Sequence, residues 1–364
     1  MTMNFEHTTL GQRVLFGTGR AAGHLNAELE LLGVSRPMII AADPERALAE
    51  QATAKVTPAL WWDEVAQHVP VEVADRARAA AGRDSVDVLI SVGGGSTTGL
   101  AKAVALTTGL PIVAVPTTYA GSEATNVWGM TENRTKTTGT DPKVLPVTVV
   151  YDAELSKTLP VGLSVASGLN GMAHCVDSLW APRTDPISQA LALEGARALA
   201  QSLRGIVASA DDMEAREQAL YGCYLAAVSF AGAGSGLHHK ICHVLGGTFD
   251  LPHAQTHAVI LPHVLELNGP AVPDLASRLA HALGRPASAD DGSAAAVAAL
   301  RDLYAAVKAP TKLAAYGFTA EGVPEAVDRI VSASPASNPV TVTEQNIAGL
   351  LRAALTGEPA AVTV

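Results

Sequence analysis

Six of the eleven histidines fall in one stretch, GLHHKICHVLGGTFDLPHAQTHAVILPHV, residues 236–264: His238, His239, His243, His253, His257 and His263. Imidazole is the commonest metal-binding side chain and the commonest acid or base near neutral pH. The stretch therefore suits a metal centre or proton chemistry without one. His239 and His243 are four residues apart, which a helix places on one face. The segment GGTFDLP can turn the chain back and bring His253 to them. Upstream, SGLNGMAHCVDSLWA spaces Asn170 and His174 by the same four residues. Three imidazoles and a polar group can converge. The pattern is not H-E-x-x-H, since Lys240 stands where a metalloprotease needs glutamate. His174, His239 and His253 could still fill three ligand positions. Asn170, however, offers a neutral amide where a carboxylate would neutralise a divalent ion, and Lys240 adds positive charge. Zinc sites with three neutral histidines exist, so the residues leave the metal open while their charge leans against it. His257 and His263 lie in the apolar run QTHAVILPH and read as structural.

A second candidate is DVLISVGGGSTTGLAKAVAL, a strand, a glycine turn and a helix. Glycines after a buried strand let backbone N–H groups approach a ligand, and the helix N-terminus favours a pyrophosphate. Gly94, Gly95 and Ser96 are the expected contacts. The turn is neither the G-x-G-x-x-G fingerprint nor a P-loop, and a tight turn alone would want glycine. Two neighbours strengthen the cofactor reading. Asp43 closes PMIIAAD, where a carboxylate can bond a ribose 2′-OH and repel a 2′-phosphate, although it can equally cap the helix that follows. PTTYAGSEA, residues 116–124, brings Thr117, Thr118, Tyr119 and Ser122 to the next strand end. The last cationic candidates are Arg134 and Lys136 in ENRTKTTG, which either hold an anionic substrate or sit in a solvated loop.

These groups need a scaffold. Between about residues 12 and 152 the β-rich runs RVLFG, PMIIAAD, DVLISVGGGS, PIVAVPTT and VLPVTVVYD alternate with Ala-rich helical patterns. Such alternation predicts a mostly parallel sheet covered by helices. From about residue 160 the strand signals stop, and 186–206, 213–231, 273–284, 293–307, 319–333 and 343–355 show helical periodicity. The expectation is an α/β, Rossmann-like dinucleotide-binding domain over 1–158 and an all-helical domain over 159–364. A net charge of −10 with no basic run argues against nucleic acid. No apolar run reaches membrane-spanning length, and MTMNFEHTTLGQR lacks the build of a signal peptide. Three cysteines do not frame a disulfide scaffold. A cytoplasmic setting with reduced thiols is expected.

Read together, GGGSTTGLAKA, PTTYAGSEATNVWGMTENRTKTTG, DPKVLPVTVVYD, GLNGMAHCVDSLWA and GLHHKICHVLGGTFDLPHAQTHAVILPH resemble the iron-containing alcohol dehydrogenase-like superfamily, which shares its fold with dehydroquinate synthase and glycerol dehydrogenase. Within it the likeness is to maleylacetate reductases, and it covers nearly the whole chain. In metal-dependent relatives the ligands are one aspartate and three histidines, which fall here on Asn170, His174, His239 and His253. The resemblance thus implies a site that needs no metal. It places His243 beside the nicotinamide and departs from the superfamily at Gly99, where an aspartate is common. It implies NADH- or NADPH-dependent reduction of 2-maleylacetate, a small dicarboxylate, to 3-oxoadipate during aromatic breakdown, by a homodimer. His243, His253, His239 and His174 would line the substrate, with Asn170 and Tyr119 as further substrate contacts, and Lys136 or Arg134 would hold a carboxylate. The alternatives are a metal-dependent alcohol or polyol dehydrogenase and a nucleotide-binding protein without catalysis.

Overall fold

In a computed structural model that describes residues 3–132 and 135–358, the chain divides into two compact units. The first comprises Leu10–Leu159 with Asp211–Leu220 and the second comprises Met1–Thr9, Pro160–Ala210 and Tyr221–Val364. The division departs from a single cut after residue 158 in two places, and buried polar groups account for both. Arg216 is fully buried. Its Nη1 donates to Tyr119 Oη at 3.2 Å and to the Ser156 carbonyl, which ties 211–220 to the α/β unit. His7 Nδ1 donates to Asp185 Oδ2 at 3.0 Å, which ties the N-terminal residues to the helical unit.

The α/β unit is built from β1 (Arg13–Phe16), α1 (Ala21–Leu32), β2 (Pro37–Ile40), α2 (Arg46–Ala52), β3 (Leu60–Trp62), α3 (Val71–Arg83), β4 (Val88–Gly93), α4 (Gly95–Thr108), β5 (Ile112–Pro116), β6 (Val127–Glu132), β7 (Thr135–Thr140) and β8 (Thr148–Tyr151). Six strands form a parallel sheet in the order β1-β8-β5-β4-β2-β3. Side chains alternate across a strand, and both faces are apolar. Met38, Ile40, Leu89 and Ile112 enter one core, whereas Ile39, Val88, Ile90, Val113 and Val115 enter the other. That is why VLISV reads as a continuous apolar run. The pairs Ile40↔Ser91 and Gly93↔Pro116 align the ends of β2, β4 and β5 as neighbours. The expected Asp43, glycine-turn and PTTYAGSEA positions therefore share one sheet edge.

The helical unit contains α5 (Val161–Ser178), α6 (Pro186–Ala208), the second part of α7 (Met213–Ala233), α8 (Leu237–Phe249), α9 (His253–Asn268), α10 (Pro273–Ala282), α11 (Ala289–Val307), α12 (Val323–Ala333) and α13 (Glu344–Thr356). Every residue of α5 from Ser164 to Ser178 is buried. Its apolar side chains join α6, α9, α10 and α11 in one core, and α8, α9, α12 and α13 enclose a second. Asp250 ends α8 in a left-handed conformation, φ 54°, and Pro252 caps α9. This turn folds α9 back along α8, as the GGTFDLP segment predicts. No single helix among the described residues is long and apolar enough to cross a membrane.

Candidate active site

Asn170, His174 and Asp177 occupy successive turns of α5, all buried. The spacing i, i+4, i+7 puts them on one helical face. Asp177 is the group that sequence reasoning missed, although this spacing pointed to it. Its carboxylate caps the N-terminus of α8 from a different helix. Gly236 N–H donates to Asp177 Oδ2 at 2.8 Å and His238 N–H to Oδ1 at 3.3 Å. A Cβ on Gly236 would lie 2.4 Å from Oδ1, so only glycine admits the carboxylate there. His239 Nδ1 donates to Asp177 Oδ2 at 2.7 Å. The carboxylate thus fixes both the helix start and the His239 ring. Burial pushes the Asp177 carboxyl up, against His238 and the N–H donors, which favour the anion.

The imidazoles pack around that pair. His174 stacks on His239 with ring centroids 4.9 Å apart, and Phe230 covers both at 4.8 and 4.3 Å. His257 does not behave as a core histidine apart from the cluster. Its Nδ1 is 2.9 Å from His238 Nε2, and its ring lies 4.9 Å from His239 and 4.4 Å from His253. His243 meets His239 edge-on at 6.2 Å. His263 stands apart, 4.0 Å from Glu266. His174, His238, His239 and His257 are buried, whereas His243 and His253 are exposed. Burial holds His174 down to about 4 and His238 to about 3, and pushes His239 and His257 well below the usual imidazole range. Burial thus favours the neutral form of the inner rings, whereas the His243 and His253 rings face solvent.

In the α/β unit, Gly94, Gly95 and Ser96 form the start of α4 and are partly exposed, as is Thr118, which packs against Gly94. Asp43 is exposed at the first position of the short 3-10 turn Asp43–Glu45 after β2. The Ser122 carbonyl accepts from Lys102 Nζ at 2.6 Å. That buried ammonium also donates to the carbonyls of Thr125 and Val127 at 2.8 and 2.9 Å, so it fixes the loop after β5. Tyr119 corrects the sequence reading. It is fully buried, and its hydroxyl bonds Ser156 Oγ at 3.3 Å and Arg216. It supports the loop from below and offers no group to a substrate. Thr117 is likewise turned inward, onto Glu45 at 2.9 Å. The role expected of Arg134 and of the Lys136 side chain lies outside the described residues. The Lys136 backbone pairs with Thr131 in the β6–β7 hairpin.

Donor atoms suited to a cation are present. Asn170 Oδ1, His174 Nδ1 and His239 Nε2 are buried without a hydrogen-bond partner among the described residues. A metal-bound histidine usually passes its other N–H to a carboxylate, as His239 does to Asp177. Beside them, His238, Cys242 and His257 each bring one ligand atom to within 4.8 Å of the others. Neutral imidazoles are what a metal requires.

Residues 11–153 match the iron-containing alcohol dehydrogenase family model, and residues 164–355 match that of the Fe-containing alcohol dehydrogenase family, C-terminal. A maleylacetate reductase of Pseudomonas sp. (strain P51) is 45% identical over 98% of this chain and 99% of its own. That of Rhizobium sp. (strain MTP-10005) is 42% identical over 97% and 98%. The solved structure of an iron-containing alcohol dehydrogenase from Corynebacterium glutamicum is 55% identical, with TM-score 0.96 and full coverage of both chains. The maleylacetate reductase structure from Rhizobium sp. strain MTP-10005 superposes with TM-score 0.90 at 41% identity, covering 98% of this chain and 100% of that one. These matches overturn the expectation of a metal-free site. The family implies iron or another metal as cofactor, and the donor atoms above fit one. Asn170 lacks an aspartate's charge, but Asp177, a carboxylate one layer out, supplies negative charge behind His239. The chain belongs to the iron-containing alcohol dehydrogenase family, whose members are oxidoreductases.

Proposed function

We propose that the protein is a maleylacetate reductase, which uses NADH, or NADPH, to reduce the C=C bond of 2-maleylacetate to 3-oxoadipate. The observation that carries this reading is 41–45% identity to proteins of that name over at least 95% of the chain. The histidine arrangement supports it.

The substrate presents an alkene conjugated to a ketone, with a carboxylate at each end. NAD(P)H supplies the hydride, and the alkene carbon remote from the ketone receives it. Negative charge then develops on the ketone oxygen as an enolate. A cation held by His174, His239, His253 and Asn170 would supply Lewis acidity there. Hydrogen-bond donors aimed where that charge develops also lower the barrier. His243 and His253, the solvent-facing rings, are the groups assigned to deliver a proton to the carbon beside the ketone. Phe230 and the buried rings behind them exclude water and hold His239 in one orientation. On the α/β unit, Asp43 reads the ribose, while Gly94, Gly95, Ser96, Thr118 and Ser122 form the dinucleotide edge. Aromatic catabolism, a cytoplasmic setting and a homodimer belong to the same reading.

A second reading, an alcohol dehydrogenase, is favoured by the name of the 55% identical Corynebacterium protein. A substrate panel separates the two. NADH consumption with maleylacetate that greatly exceeds consumption with simple aldehydes supports the reductase. The reverse preference rejects it.

A further inference from the structure

The glycine turn already holds a carboxylate. Glu45 ends the 3-10 turn after β2 and is partly buried. Its Oε1 accepts from Thr117 Oγ1 at 2.9 Å and its Oε2 from Thr97 Oγ1 at 3.3 Å. The nearby Gly94 backbone N–H also favours the ionised form. A Cβ on Gly93, whose φ is 153°, would lie 2.4 Å from Oε2, so the carboxylate rests directly on the turn. Helix α4 has no side-chain cap of its own, because Gly94 occupies the N-cap. Glu45 supplies from another element the negative charge that this N-terminus attracts. Burial raises its carboxyl, so the ionised form depends on these donors.

A pyrophosphate at this turn would draw on the same N–H and dipole. We propose that Glu45 is an internal occupant of the pyrophosphate cradle, which the dinucleotide must displace, and so is a determinant of cofactor affinity. The proposal rests on the dinucleotide reading above. Asp177 makes the contrast. It caps α8 in the same way but is sealed at 0% exposure, where no ligand competes. Glu45 instead hangs from a short turn whose Asp43 and Pro44 face solvent, so its side chain can swing out without opening a core.

The test compares full-length wild type with Glu45→Gln, which keeps the shape and removes the charge. Inorganic pyrophosphate, NADH and adenosine are titrated separately by calorimetry. Pyrophosphate and NADH should each bind about tenfold more tightly to the variant, as when a competent state populated one part in ten becomes dominant. Adenosine, which has no phosphate, should bind both proteins equally. The melting temperature of the unliganded variant should fall as α4 loses its cap. Pyrophosphate binding that is unchanged or weaker in Glu45→Gln overturns the proposal. Tighter pyrophosphate binding with no NADH binding to either protein upholds the occupied cradle and rejects the dinucleotide reading instead. Should Glu45→Gln fail to fold, Glu45→Asp, which draws the charge back by one methylene, should show the same tightening to a smaller degree, and its absence there overturns the proposal.

Discussion

The Nδ1–H of His239 points at Asp177 Oδ2, 2.7 Å away, and its Nε2 faces inward with no hydrogen-bond partner among the described residues. One carboxylate therefore sets the tautomer and orientation of a ring at the centre of the imidazole cluster. Asp177→Asn keeps the volume but loses the charge that selects this tautomer. It should lower kcat by about 10- to 100-fold, the usual cost of removing such a supporting group, and leave the KM for NADH nearly unchanged. An unchanged kcat on a folded variant would show that the His239 orientation does not matter to the reaction.

His243 and His253 are exposed, so truncation removes chemistry and little packing. His243→Ala and His253→Ala should each lower kcat by about 10²–10³, as loss of a donor to the transition state does. Their melting temperatures should stay near wild type. His257→Ala is the opposite case. It leaves a cavity and reduces His238 Nε2 to its weaker contact with Cys242 Sγ at 3.6 Å, and should cost about 2–4 kcal/mol of stability in denaturant titration. Wild-type kcat in both exposed variants would mean that the proton comes from elsewhere.

Asn170 offers an orphaned Oδ1 to the donor set. Asn170→Asp replaces a neutral ligand with an anion, and should raise the affinity for Zn²⁺ or Fe²⁺ by about 10-fold or more, a gain on the scale of a charged over a neutral contact. Calorimetry with the metal alone reads this without reference to activity. Equal affinities in the two proteins would remove Asn170 from the set.

Asp43 is exposed at the end of β2, where a ribose hydroxyl is expected. Asp43→Ser should narrow a preference for NADH over NADPH by about 1–2 kcal/mol, read from the ratio of kcat/KM values. An unchanged ratio places the ribose elsewhere.

Asp185 links acid stability to the α6 cap. Burial alone would raise its carboxyl, but His7, Ser188 and Ile187 donate to it and hold it at about 2, below its ordinary 3.8. A carboxyl depressed on folding stabilises the protein above its unfolded value, and that stabilisation is lost as pH falls through the folded value. Asp185→Asn should therefore cost about 1–2 kcal/mol at pH 7, and the difference from wild type should shrink between about pH 4 and pH 2. A difference that stays constant across that window would contradict the assignment.

The two unit types and the five long strand runs were legible because apolar periodicity and glycine punctuation are local signals. β3 was not, since LWW is three residues long, and the β6–β7 hairpin was hidden by the polar TKTTGT. Helix α5 was masked by its own burial, which left no polar face to reveal a period, although the Asn170–His174 spacing marked it locally. Helix α11 starts at Ala289, ahead of the predicted 293, with Asp290 and Asp291 in its first turn. At the candidate site, spacing anticipated that His174, His239, His243 and His253 gather in one cluster of rings. It could not find Glu45, whose partners Thr97 and Thr117 are 52 and 72 residues away. It also could not foresee that Tyr119 turns inward, because Arg216, its partner 97 residues on, carries no local signal.

The most direct test of the central claim follows the hydride. NADH carrying deuterium at the transferred C4 position is incubated with maleylacetate and the enzyme, and the product is analysed by NMR. Conjugate reduction places the deuterium on the methylene next to the carboxylate remote from the ketone, and leaves the ketone of 3-oxoadipate intact. Deuterium on a newly formed carbinol carbon, with the alkene retained, would mean that the enzyme reduces carbonyl groups and would contradict the account.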